Sequence, residues 1–156
     1  MDVVINASPL VLLSKIDLLY LLNKLFDAVY IPHAVLKEIQ DIDKVETKVN
    51  LSEISFIPLE ISNKIAVRGL LGRLHIGEVE VMIGAIEKGI VTVVMDERTA
   101  RNKAKQLGLE ITGTLGILLK ARKRGLIEDM GQEITKLKNA GMYLSDNIVK
   151  QILENF

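Results

Sequence analysis

VVINASPL, residues 3–10, decides the fold. Val3, Val4 and Ile5 form a short β-branched run of the kind found in buried strands. Ser8 and Pro9 read as the N-cap and first residue of a helix. A strand that passes straight into a helix is the opening unit of an α/β fold, and the carboxyl end of such a strand is where these folds place their chemistry. Asn6 stands at that end as a ligand, a turn residue or a replacement for an acid.

The same alternation runs along the chain. Strands are expected at 3–5, 28–31, 54–59, 90–95 and 109–112. IVTVVM (90–95) is the clearest of them, and Pro58 assigns 54–59 to a sheet edge. Helices are expected over 8–26 with a break near 14–17, then 32–40, 63–74, 76–89, 96–108, 114–125, 127–140 and 146–154. Ile42, Val45 and Val49 carry helical spacing through 41–52. Gly89 stops the helix before IVTVVM, and Ser145 caps the last one. The links between strands are long enough for crossovers. The expectation is one domain over 1–156, a three-layer α/β/α sandwich with a mainly parallel central sheet.

Composition narrows the function. The chain has 156 residues, 49% of them hydrophobic, with no Trp and few aromatics, so its core is built from Ile, Val and Leu. Lys plus Arg and Asp plus Glu both number 20, so any nucleic-acid surface requires charge sorted locally. With no cysteine, disulfides, thiolate metal sites and Cys nucleophiles are excluded, which fits a cytoplasmic protein. Neither a signal peptide nor a membrane span is expected.

Asp96 follows the strongest strand and reads as the N-cap of the next helix, as a site acid, or as both. Glu78 lies on the shoulder of the stripe Ile76, Val79, Met82, Ile83 and Ile86, where helix-dipole stabilisation also accounts for it. Glu80 and Glu87 are assigned to the outer face of that helix. Glu38 sits between Val35 and Ile39 on one side and solvent on the other. His33 and His75 read as boundary or surface residues. Arg98, Arg101 and Lys105 share one stripe opposite Ala100, Ala104 and Leu107. Thr114 reads as the cap of its own helix, and Lys120, Arg122, Lys123 and Arg124 as cations complementing a helix C-terminus.

Taken in order, the strand ending in NAS, then IPHAVLKEI, GEVEVMIGAI and VVMDERTARNKAKQLGLEITGTLGILLKARKRG, resemble the PIN domain, in its poorly characterised prokaryotic branch close to VapC-type toxins. The resemblance is strongest over 3–39 and 76–125. It implies a metal-dependent ribonuclease whose acids meet at the carboxyl edge of a parallel sheet. Carried over, the first acid falls on Asn6, the second on Glu38, the third on Glu78 and the last on Asp96, with Glu97 adjacent. These four would hold Mg²⁺ or Mn²⁺, and Asp96, Glu38 and Glu78 would be catalytic. Ser8, Arg98 and Arg101 would contact the RNA substrate. A homodimer and a protein antitoxin over the acidic cleft are also implied. Asn6 departs from the pattern, because an amide oxygen can ligate but brings no charge and cannot act as a base. It keeps open a rival reading, a catalytically impaired module that binds RNA or protein. A flavodoxin-like or receiver-like domain shares the alternation, but no phospho-acceptor pattern or flavin loop accompanies it.

Overall fold

A computed structural model describes residues 1–43 and 49–155. Its strands are β1 (Asp2–Ile5), β2 (Ala28–Pro32), β3 (Ile57–Leu59), β4 (Thr92–Val94) and β5 (Glu110–Thr112). They form one sheet in the order β3-β2-β1-β4-β5, parallel throughout. Val3, Val4, Ile5, Val93 and Val94 are completely buried, which explains why β1 and β4 read as unbroken apolar runs rather than alternating ones. The edge position of β3 accommodates Pro58.

The helices are α1 (Ala7–Lys15), α2 (Leu21–Leu25), α3 (His33–Asp43), α4 (Lys64–Leu70), α5 (Ile76–Lys88), α6 (Arg98–Gln106), α7 (Thr114–Lys123), α8 (Met130–Asn139) and α9 (Asp146–Asn155). With this strand order, the right-handed rule for parallel crossovers assigns α1 and α2 to one face of the sheet and α5 and α6 to the other. α5 packs on β1, β2 and β4, and α7 returns to pack against α1 and α2. The three-layer α/β sandwich therefore stands as expected. Among the described residues, no helix is long and apolar enough to cross a membrane.

Helix boundaries differ from the sequence reading where strand ends intervene. α1 begins at Ala7, directly after Asn6, so neither Ser8 nor Pro9 has its expected place. Pro9 still falls within the first four positions, where a missing N–H leaves no helical bond unmade. The break after α1 is real, and Asp17 there adopts φ 59°. Of the spacing expected through 41–52, Ile42 lies in α3, Leu51–Glu53 is a 3₁₀ turn, and Val45 lies outside the described residues. α5 ends on Gly89 at φ 68°, a left-handed cap that favours glycine.

The feature that positions chemistry is the reversal of strand order at β1. From there the chain moves outward through β2 and β3, then crosses back to β4 and β5. The carboxyl ends of β1 and β4 thus lie side by side, with Ile5 opposite Val94 and the Asn6 N–H donating to the Val94 carbonyl at 2.9 Å. Such a switch point leaves a crevice outside the strand ends.

Candidate functional site

Asp96 stands one residue beyond Met95, whose N–H extends the ladder to the Thr112 carbonyl at 3.0 Å. Its carboxylate is held from two directions. The Thr114 N–H donates to Oδ1 at 2.8 Å, while the Thr114 hydroxyl at 2.7 Å and the Ser8 hydroxyl at 3.2 Å donate to Oδ2. Thr114 is the first residue of α7, so its N–H has no partner within the helix, and a negative acceptor there also complements the helix dipole. Asp96 therefore caps α7, not its own helix. Glu97 takes that second role, accepting from the Ala100 N–H at 2.8 Å, and this bond holds its carboxyl below the usual range. The cap position of α7 is Gly113, and Thr114 is a donor to Asp96 rather than a cap.

Gly113 is required by this packing. A Cβ there would stand 2.7 Å from Arg101 Nη1 and 2.8 Å from Asp96 Oδ1. Arg101 is turned inward, its Nη1 donating to the Met95 carbonyl at 3.5 Å, and only Arg98 and Lys105 of the expected basic stripe are exposed. Ala100 and Ala104 are buried as expected.

Asn6 precedes α1 but makes no side-chain cap bond. The residue is 4% exposed, and its Oδ1 is buried without a hydrogen-bond partner. An acceptor in that state costs about 1–3 kcal/mol. Glu38 Oε2, on α3, is likewise buried without a partner. Burial raises the Glu38 carboxyl above its ordinary value, His75 opposes this, and the negative charge of Glu78 adds to it.

Glu78 is 4% exposed, well inside the shoulder position expected for it. Its Oε1 accepts from the His75 N–H at 3.1 Å and lies 3.3 Å from His75 Nε2, which is 3.9 Å from Glu38 Oε1. His75 is the cap of α5, a boundary residue as expected, yet its imidazole also stands between two of the candidate acids. The spacing His75-x-x-Glu78 carried that signal only in part, since His is not a usual cap. One neighbouring assignment is corrected. Glu80 is buried, not outward, and accepts from the Ala34 N–H at 3.0 Å in the first turn of α3. Glu87 is exposed as expected, and it also accepts from the Ser62 and Asn63 N–H groups before α4.

Glu38, Asp96, Glu97 and Ser8 line one cleft of about 510 Å³, and Glu78 joins Glu38 through His75. Among the described residues, no three His, Asp or Glu side chains converge tightly enough to hold an ion by themselves. The side chains of Asn6, Glu38, Glu78 and Asp96 nevertheless offer oxygens, and two of these, Asn6 Oδ1 and Glu38 Oε2, lack partners. Such a set fits Mg²⁺ better than a closed protein cage would, because Mg²⁺ keeps several waters and takes one or two carboxylates beside substrate phosphate.

The half-buried Glu38 gives a pH prediction. A raised carboxyl binds its proton more readily in the folded chain than in the unfolded one. Wild-type stability therefore falls as pH rises from the unfolded carboxyl value into and past the folded one. Glu38→Gln should raise Tm at neutral pH in the absence of metal, and that gain should vanish in acid, where wild-type Glu38 is protonated in both states. Melting curves of both proteins across pH 3–8 in EDTA check this; a neutral-pH loss of Tm in the variant would contradict it.

No curated protein matches the chain. A family model described as PIN domain matches residues 2–156, and the chain belongs to the PIN domain family.

Proposed function

We propose that the chain is a Mg²⁺- or Mn²⁺-dependent endoribonuclease related to VapC-type toxins, acting in the cytoplasm. The observation that carries this is the pair of buried, partnerless oxygens, Asn6 Oδ1 and Glu38 Oε2, at the edge where Asp96 also lies. Asp96, Glu38 and Asn6 would hold the ion, and Glu78 would add a ligand or its charge beside Glu38. A bound divalent ion lowers the pKa of an attacking water and offsets charge on the phosphodiester. Asp96 is kept in one orientation by Thr114 and Ser8, so little reordering is needed when it ligates. Ser8 and the exposed Arg98 would meet substrate phosphate, with Arg101 behind them at the strand end. A homodimer and an antitoxin that covers the cleft complete the reading on the family resemblance.

The test combines cleavage of labelled single-stranded RNA in Mn²⁺ with melting curves. Wild type should cut in Mn²⁺ and not in EDTA, and Mn²⁺ should raise Tm, by the equivalent of about 2.7 kcal/mol at 100 times Kd. Neither effect would favour the rival reading, a PIN module that binds RNA or protein without cutting, for which the uncharged Asn6 is the supporting feature. Asn6→Asp should tighten Mn²⁺ binding by roughly tenfold, since a carboxylate adds charge where an amide has none. Calorimetric titration measures it, and an unchanged affinity would remove Asn6 from the ligand set.

A further inference from the structure

We infer that the cleft beside Asp96 receives one unstacked nucleotide, its base lying on Tyr143 and its phosphate beside Asp96 and Glu38. The phosphate half of this rests on the nuclease reading above; the base half rests on the shape and chemistry of the cleft.

The cleft is lined by two unlike sets of side chains. Glu38, Asp96 and Glu97 make part of the lining anionic, so a phosphate approaches it only with a cation. The other set is uncharged: Val11 and Leu12 of α1, with Met142 and Tyr143 in the turn between α8 and α9. A nucleotide has the same division, an apolar ring joined to an anion. The volume, about 510 Å³, is within the range of small-ligand clefts.

Tyr143 is the most exposed large apolar side chain among the described residues, at 87%. Among the described residues the other aromatics are buried more deeply, with Phe26 at 4% and Tyr20 at 44%. The turn that carries Tyr143 follows Gly141 at φ 108°, which directs the chain away from α8. An aromatic ring left in water on the wall of a cleft offers a face to a base, and stacking needs no sequence match because every base has a π-face. Paired bases are not available for this contact, so single-stranded RNA is favoured over duplex.

The chain contains no Trp, so Tyr143→Trp places a single fluorophore at the proposed contact. The probe is a short single-stranded oligoadenylate RNA, with Ca²⁺ replacing Mg²⁺ to suppress turnover. Trp emission should be quenched along a saturable curve that matches binding followed by anisotropy. Tyr143→Ala should raise the RNA Kd roughly 5- to 150-fold, while Tyr143→Phe should stay close to wild type. All three variants should melt with wild type, since the side chain is exposed. RNA binding with unmoved Trp emission overturns the inference, and so does an unchanged Kd in Tyr143→Ala or equal quenching by duplex RNA. Wild type that binds no RNA overturns it as well, and leaves the cleft to a protein segment. Quenching and binding by a protein that cuts nothing in Mn²⁺ sustain the inference and refute the nuclease reading.

Discussion

Asp96→Asn should reduce Mn²⁺-dependent RNA cleavage roughly 100-fold or more, the several kcal/mol a metal-organising carboxylate contributes. The substitution keeps the size of the side chain and one oxygen for the Thr114 N–H. It removes the charge, and it turns an amide group toward the Thr114 and Ser8 hydroxyls, which can rotate to accept. Three charge-assisted hydrogen bonds become neutral ones, so a stability loss of about 1–2 kcal/mol accompanies the change without unfolding the chain. Initial rates over a Mn²⁺ titration, read beside Tm, separate the two effects. Activity within a fewfold of wild type would put the cation elsewhere and take the proposed mechanism with it.

Gly113→Ala should produce a comparable loss through position alone. Gly113 has φ −120° and ψ −174°, extended backbone that alanine adopts freely, so the effect comes from the added methyl. That methyl would lie 2.7 Å from Arg101 Nη1 and 2.8 Å from Asp96 Oδ1. Arg101 can swing outward at small cost, because its bond to the Met95 carbonyl is long. Asp96 cannot, because Thr114 and Ser8 hold both its oxygens. The strand end or the start of α7 has to move, at about 1–3 kcal/mol for overpacking, and a shift near 1 Å in a reacting geometry costs on the order of 100-fold in rate. Gly69→Ala is the control: it lies in α4 with nothing within 4 Å of the new methyl, and it should match wild type in rate and equal or exceed it in Tm, since alanine favours the helix. If the two glycine variants behaved alike, the fine position of Asp96 would not limit the reaction.

Asp96, Glu80 and Glu87 all satisfy backbone groups of other elements, which place on their own helix does not reveal; of the three, Glu87 keeps the outer-face position its helix predicts. Asp96 accepts from the start of α7, Glu80 from the first turn of α3, and Glu87 from the two residues preceding α4. An unpaired N–H at a helix start takes the nearest acceptor in space, and local spacing says nothing about which residue that is. The place of His75 is hidden from local spacing in the same way, since its position between Glu38 and Glu78 depends on α3 packing against α5.

By itself the sequence determined the alternation of strands and helices, because a buried parallel strand is written as a continuous β-branched run and each crossover helix carries a 3.6-residue stripe. It also determined which side chains carry oxygen ligands at strand ends. Only the tertiary structure decided that β1 and β4 lie together, that Asn6 Oδ1 and Glu38 Oε2 are left without partners, and that Asp96 is held by a helix eighteen residues later. Those are properties of distances between remote segments. They follow from how the layers pack, a sum over many weak contacts that no short stretch of residues contains.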